Sequence, residues 1–187
     1  MKKKMKPLEG LQMMDHGPTV LIGVRDEAHN RLNLFAVAWI IPCSAKPPLV
    51  VTSVNPKNLS HELIKNTQEF TVNIPNVSLL DKLHFCGTTS GRSIDKVEKL
   101  SLTPVKAQRV STPLIEECIG HLECKVIETK VIGDHTLFTA EVLAASADDD
   151  FFDGSWRFER SIVRTLHYLG GRRYAAIGEV LEAKTAR

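Results

Sequence analysis

A run of small polar residues, Asn55, Asn58 and Ser60, with Lys57 among them, follows directly on the β-branched stretch Leu49–Val54, which itself carries Ser53. Hydroxyls and amides gathered where a strand gives way to a helix are suited to binding an anion. The first backbone N–H groups of a helix are unpaired and its dipole is positive there, so phosphate is favoured before any side chain is counted. A second group lies in Cys86-Gly87-Thr88-Thr89-Ser90-Gly91-Arg92, with Asp95 and Lys96 behind it. It is rich in hydroxyls and ends in a guanidinium, which suits a phosphate contact, although an ordinary helix-to-helix connection has the same composition. Trp39, Cys43 and His167 complete the set. Each also has a plainer reading: a tryptophan in an apolar strand is usually core, and a lone histidine is usually a hydrogen-bonded structural residue.

These residues need elements to hold them. Leu34 to Ile41 is apolar at every position and bounded by Asn33 and Pro42, which predicts a strand buried on both faces. A proline-rich turn, Pro42 to Pro48, then joins it to the strand Leu49–Val54. Such a flat apolar strand pair leading into an anion site suits a phosphorylated aromatic ligand. Asn58 is the expected N-cap of a helix through Asn66, and Glu69 to Ile74 alternates as a half-buried strand. Ser78 to Asp81 reads as a capping box opening a helix to about Phe85, followed by the polar loop 86–92 and a helical turn or two from Ser93.

Upstream, Pro18 to Val24 is a first strand, with Arg25 to Leu32 as the loop of a hairpin. Downstream, Ile119 to Val131 and Leu137 to Ala144 form a long antiparallel hairpin about Gly133-Asp134-His135. Asp148 to Gly154 is a solvated loop and Arg157 to Leu166 is short helical or irregular. His167 to Tyr174 is a glycine turn and Tyr174 to Val180 a last strand. Short strands, few helices and hairpin spacing predict a mainly β protein, a small antiparallel barrel with helical insertions.

Composition narrows the function. A chain of 187 residues is enough for one domain with a core, so 1–187 is read as one domain whose residues 1–15 form a flexible tail. The formal charge of +2 gives no reason to invoke nucleic acid. No apolar stretch approaches the ~18 residues of a membrane span. The basic start lacks a signal-type apolar core, so a cytoplasmic protein is expected. The cysteines Cys43, Cys86, Cys118 and Cys124 show no CxxC pairing, and no metal site is expected. There is no GxGxxG after a strand, no GxxxxGK[ST], no HExxH and no GxSxG, which removes support for a Rossmann dinucleotide fold, a P-loop NTPase, a zinc protease and an α/β-hydrolase.

The order Asn33…Trp39…Pro42-Cys43-Ser44…Pro47-Pro48, then Asn73-Ile74-Pro75, then Cys86-Gly87, Ser90-Gly91-Arg92 and Asp95-Lys96, resembles the flavin reductase-like family, and within it flavoredoxin-type FMN-binding split barrels. The likeness runs from about Thr19 to Leu181. A glycine common in the family at the first hairpin turn is missing here. The resemblance implies FMN bound at a homodimer interface. It also implies either passage of electrons from NADH or NADPH through flavin to an acceptor, or electron carriage with a redox partner protein. It would place Ala38 to Ser44, including Trp39, Pro42 and Cys43, as wall and edge for the flavin ring. Ser53, Asn55, Ser60, Ser90 and Arg92 would be phosphate contacts, with Asn33, Cys86, Gly91 and Lys96 as motif neighbours and His167 reaching in from the C-terminal side. Catalysis there belongs largely to the flavin, so no general acid or base is named. A flavin-free binding barrel is the third alternative.

Overall fold

The strands pair in an order different from their order in the chain, and that difference closes the sheet. The computed structural model describes residues 2–184. Its helices are α1 (Pro7–Leu11), α2 (Leu59–Thr67), α3 (Leu80–Thr88) and α4 (Lys96–Lys99). Its strands are β1 (Val20–Asp26), β2 (Arg31–Val37), β3 (Ile40–Ala45), β4 (Pro48–Val54), β5 (Glu69–Ile74), β6 (Pro104–Val105), β7 (Leu114–Ile115), β8 (Gly120–Ile132), β9 (His135–Ala147), β10 (Leu166–Gly170) and β11 (Arg173–Ala176). Seven of them form one antiparallel sheet in the order β2-β1-β5-β8-β9-β4-β3, and β6-β7 and β10-β11 are separate pairs. β2 and β3 lie at opposite edges, yet only Ala38 and Trp39 separate them in the chain. Three Cα steps reach at most about 11 Å, so the two edges must meet at that corner and the sheet curls into a barrel.

Alternation sends side chains into two cores. Val20, Ile22 and Val24 of β1 and Phe35 and Val37 of β2 point into the barrel with Phe70, Phe138 and Ile64. Leu21 of β1 and Leu32 and Leu34 of β2 point outward and are covered by Leu79, Leu83 and Cys86 of the α3 region and by Ile115. This is why β2 is apolar from Leu34 to Val37: both faces are covered there.

The same reading fails beyond Val37. The apolar run is not one strand, because the chain bends at Ala38 and Trp39, and β3 beyond the bend is an edge strand with Ile41, Pro42 and Cys43 exposed. Pro42 is tolerated because the register shifts between Pro42 and Ser44 and an edge strand leaves N–H positions unpaired. The expected proline-rich turn is therefore mostly strand, with the reversal at Lys46-Pro47.

β5 is buried on both faces rather than half-buried. Its polar side survives burial because Thr71 Oγ1 donates to the Pro113 carbonyl and Asn73 Nδ2 to the Leu21 carbonyl, while Asn73 Oδ1 accepts from Ile115 N–H. The helix after Asn76 begins with a 3-10 turn, Val77–Leu79, in which Asn76 Oδ1 accepts from Ser78 N–H; Asn76 caps where the capping box was expected at Ser78. α3 then runs past Phe85 to Thr88, taking in the first residues of the expected loop. At the first hairpin, Asn30 occupies the left-handed region (φ 47) where a glycine would be usual. The last strand ends at Ala176 instead of Val180. The start of the chain carries α1 and a 3-10 turn, Gln12–Met14, with no buried residue; Met1 of the expected tail lies outside the described residues.

Candidate functional site

A cavity of about 350 Å³ opens at the corner where the sheet edges meet. Phe35, Ala36 and Val37 at the end of β2, with Ala38 and Trp39 of the bend, form one wall. Ser53 and Val54 at the end of β4, then Asn55 and Asn58 leading into α2, form a second. His84, Gly87 and Thr88 in the last turns of α3 form a third. Tyr168, Gly171 and Tyr174 of the β10–β11 hairpin close over it, with His135, Asp15 and Thr19 at its margin.

Sequence-local chemistry explains much of this placement. A Cβ on Gly87 would lie 3.1 Å from Ala36 Cβ, so a helical glycine lets α3 press closely on β2. Asn58 is the N-cap of α2 but makes no side-chain capping bond, and it lines the cavity. Asn55 Oδ1 accepts from Lys57 N–H at 3.0 Å, which tightens the turn between β4 and α2. Trp39 Nε1 donates to Asp15 Oδ1 at 2.8 Å, and its ring tilts against His135 with centroids 5.2 Å apart. His84 Nδ1 and Tyr174 Oη are 3.2 Å apart, and Tyr174 stacks at a tilt on Tyr168 with centroids 5.4 Å apart. Burial, and then the neighbouring Tyr168, pushes the Tyr174 phenol above its ordinary pKa.

Of the residues expected from sequence, Ala38, Trp39, Ser53 and Asn55 line the cavity. Asn33, Ser60 and Gly91 come together elsewhere, as a buried cluster in which Asn33 Nδ2 donates to Ser60 Oγ at 3.1 Å. Cys86 and Lys96 are also buried and adjoin one another. Burial pushes the Cys86 thiol up to about 11, with Lys96 acting in the opposite direction. Burial likewise pulls the Lys96 ammonium down. Such a thiol is not a thiolate at neutral pH.

Ser90 and Arg92 are exposed, Arg92 Nη2 pairing with Glu62 Oε2 at 3.0 Å. Pro42, Cys43 and Ser44 lie along β3 and do not line the cavity. His167 faces the N-terminal segment: its Nδ1 meets the His16 carbonyl at 2.8 Å and its Nε2 meets Thr165 Oγ1 at 3.3 Å.

Thr88 comes from the hydroxyl-rich group singled out in the sequence, whereas His84, His135, Tyr168, Tyr174 and Asp15 were not assigned to a site. One signal was available, since both tyrosines of the chain flank a Gly-Gly turn and both reach the cavity.

The chemistry of the lining is therefore an apolar wall, a band of neutral donors (Ser53, Asn55, Asn58, Thr88 and the two phenols), two imidazoles and one carboxylate. A family model of the flavin reductase like domain matches residues 14–177. The chain belongs to this family. The YddH protein of Escherichia coli is 33% identical over 175 residues, 92% of this chain and 93% of that one. An FMN-binding protein from Thermus thermophilus superposes with a TM-score of 0.82 at 26% identity, over 98% of this chain and 99% of that one. The flavoredoxin of Desulfovibrio vulgaris superposes at 0.80 with 27% identity, over 89% and 90%. The fold of this flavin reductase-like protein is thus the split barrel expected from the sequence. Among the described residues no helix is long and apolar enough to cross a membrane.

Proposed function

We propose that the protein binds FMN in the corner cavity and is an oxidoreductase of the flavin reductase class, passing electrons from NADH or NADPH through flavin to an acceptor. The observation that supports this most is the coincidence, in one cavity of a flavin reductase-like chain, of an apolar wall with a band of neutral donors. A volume of about 350 Å³ lies in the usual range for small-molecule sites, about 300–1,000 Å³.

The lining fits the group. A planar, mostly apolar ring with a polar edge matches Phe35, Val37, Ala38 and Trp39, and the ribityl and phosphate oxygens match the hydroxyls and amides of Ser53, Asn55, Asn58 and Thr88. Among the described residues no lysine or arginine lines the cavity, so the phosphate charge falls to neutral donors and to the first N–H groups of α2. Bound FMN would supply one- and two-electron transfer. The chain's part is to orient the ring, to exclude water with the β10–β11 hairpin, and to hold the Tyr174–His84 pair at the wall.

The remaining expectations belong to the same reading. The chain acts as one domain and as a homodimer, with Trp39 and Ile41, 45% and 59% exposed beside the cavity, as surface for the second copy. Four free cysteines agree with a reducing, cytoplasmic setting.

The second reading is an FMN-binding electron carrier reduced by a protein partner. It is favoured by the absence from the sequence of a recognisable nicotinamide nucleotide motif and by the likeness to a flavoredoxin. One experiment separates the two: an absorbance spectrum of the protein with FMN, then anaerobic titration with NADH and NADPH. Flavin bands that bleach with either donor support the oxidoreductase. Bands that bleach only with dithionite support the carrier, and protein that takes up no FMN refutes both.

A further inference from the structure

β9 outruns its neighbour. Its last pair with β4 is Leu49↔Glu141, so the stretch from Val142 to Ala147 pairs on one side only, with β8. The chain then folds back as a loop in which Arg157 N–H donates to the Phe151 carbonyl at 2.9 Å and Phe152 bridges Trp156, setting their rings at 67° with centroids 5.0 Å apart. A cavity of about 410 Å³ lies between this loop and the sheet and shares no lining residue with the corner cavity. Ile74 and Leu122, which also pack on the barrel core, give it an apolar floor, and Phe152 and Trp156 give it an aromatic wall. Trp156 can approach because position 120 is glycine: a Cβ there would lie 3.0 Å from Trp156 Cη2.

The histidine, the hydroxyl and the carboxylate at this cavity all present acceptors. His121 Nε2 lies 2.8 Å from the Ile115 carbonyl, and a carbonyl only accepts, so that nitrogen carries the ring proton. In the neutral ring Nδ1 is then a lone pair, and Ser146 Oγ, 3.4 Å away, donates its proton to it, which leaves the hydroxyl oxygen as an acceptor. Asp149 adds a negative charge. Among the described residues no lysine or arginine lines the cavity, and the loop's Arg157 is held by Asp153 through Nε at 3.2 Å and Nη2 at 3.0 Å. Acceptors, a negative charge and aromatic faces favour the same guest, one that brings N–H donors and positive charge on an apolar body.

We propose that this second cavity binds a primary arylalkyl ammonium, its cationic head held among Asp149, the His121–Ser146 pair and the Trp156 ring, and its aryl group laid on the apolar floor. The site is separate from the flavin reading and holds whether or not the corner cavity takes FMN. Each polar contact is weak on its own, being a cation over a partly exposed ring or an ion pair with an exposed carboxylate. Affinity therefore rests on their convergence, and preference for charge is its signature. A neutral ligand of the same shape keeps the apolar contact and loses the cation's two.

The test titrates the intact protein with 2-phenylethylammonium and with its neutral counterpart 2-phenylethanol, read by isothermal calorimetry and by amide and indole NMR shifts. The ammonium is expected to bind with a Kd of about 1 mM or below, about tenfold more tightly than the alcohol, and to shift Gly120, His121, Ser146 and the Trp156 indole. Asp149→Asn should cut that preference to about threefold, and added salt should weaken the ammonium alone. No saturable binding up to about 10 mM overturns the proposal. So does an alcohol that binds as well as the ammonium, or a set of shifts confined to the corner cavity at Tyr168 and Tyr174. A folded Asp149→Asn that keeps the full preference overturns it as well; should that variant not fold, the ammonium and alcohol titrations of the wild type decide.

Discussion

Replacing Gly91 by alanine tests how tightly the buried cluster behind α2 is built. A Cβ at this position would sit 2.0 Å from Asn33 Oδ1, 3.1 Å from Asn33 Cγ and 3.3 Å from Leu59 Cδ2. Gly91 is not among the glycines with positive φ, so alanine can adopt its backbone and the cost comes from the contact. The Asn33 amide would have to swing away, and both it and Ser60 are buried, so the Asn33–Ser60 hydrogen bond is lost inside the protein. A buried polar group left unpaired costs about 1–3 kcal/mol. Against that, alanine restricts the unfolded chain and returns about 0.4–1 kcal/mol. Overpacking adds about 1 kcal/mol or more to the lost hydrogen bond, so the clash wins and the net destabilisation expected for Gly91→Ala is about 1–3 kcal/mol.

Urea denaturation of Gly91→Ala, Asn33→Ala and the double variant reads this directly. If the collision with Asn33 is the cause, Gly91→Ala costs little once Asn33 has been shortened to alanine, and the cycle shows a coupling of about 1 kcal/mol or more. A Gly91→Ala protein as stable as wild type would refute the packing argument. An equal loss in both backgrounds would place the cost on Leu59 or on the backbone, whose carbonyl accepts from Arg31 Nη2 at 2.7 Å.

Thiol labelling of the native protein near pH 8 should modify Cys43 quickly and the other three cysteines only on unfolding; Cys43 is exposed, whereas burial pushes Cys86 to about 11 and Cys124 to about 12 and raises Cys118 as well. A second fast-reacting thiol by mass spectrometry would refute this. An alkaline ultraviolet titration should show one tyrosine titrating late and lost in Tyr174→Phe. The phenol binds its proton more tightly when folded, so its contribution to stability is complete below its unfolded pKa, about 10, and fades as pH rises through the folded value. Glu123→Gln should cost about 1–3 kcal/mol and speed hydrogen exchange at Gln108, Arg109 and Val110, whose N–H groups all donate to the buried carboxylate. Arg92→Ala should leave FMN affinity within about threefold, because its partner is Glu62 in an exposed pair of little worth. A loss of tenfold or more in a binding titration would show that the guanidinium turns into the cavity.

Elements whose signal is local were legible in the sequence. The long hairpin of β8 and β9 was legible because alternation on both sides of Gly133-Asp134 fixes the turn, and Gly133 does take positive φ there. α2 was legible from Asn58 and the spacing of Leu63 and Ile64, both buried. The bend at Ala38 and Trp39 was not, because apolarity reports burial and not where a strand leaves its sheet. Trp39 is apolar and yet 45% exposed, as it forms the rim of a cavity and not part of a core. The end of α3 was misjudged for a related reason. Gly87 looks like punctuation in the sequence, and only the nearness of Ala36 shows that it is a packing glycine inside a helix.

The cavity itself lies largely beyond local signal, since His84 and Tyr174 meet across 90 residues and the β10–β11 hairpin reaches it only through the fold. The distribution of cations carries the strongest lesson. Sequence reasoning matched an anionic ligand with Arg92, the residue whose chemistry suits phosphate best, yet that side chain faces solvent and Glu62. Lys96, four residues on and expected only as a motif neighbour, is the buried cation: Asp95 caps its helix by accepting from Val97 and Glu98 N–H, and Lys96 Nζ donates to two carbonyls. A half-turn change in helix phase, about two residues, would carry such a side chain from the buried face to solvent. Charge near a binding site is therefore set by caps and helix phase, which a sequence motif records only indirectly, and the cation beside a motif is better assigned by which side of the backbone its helix presents than by its own chemistry.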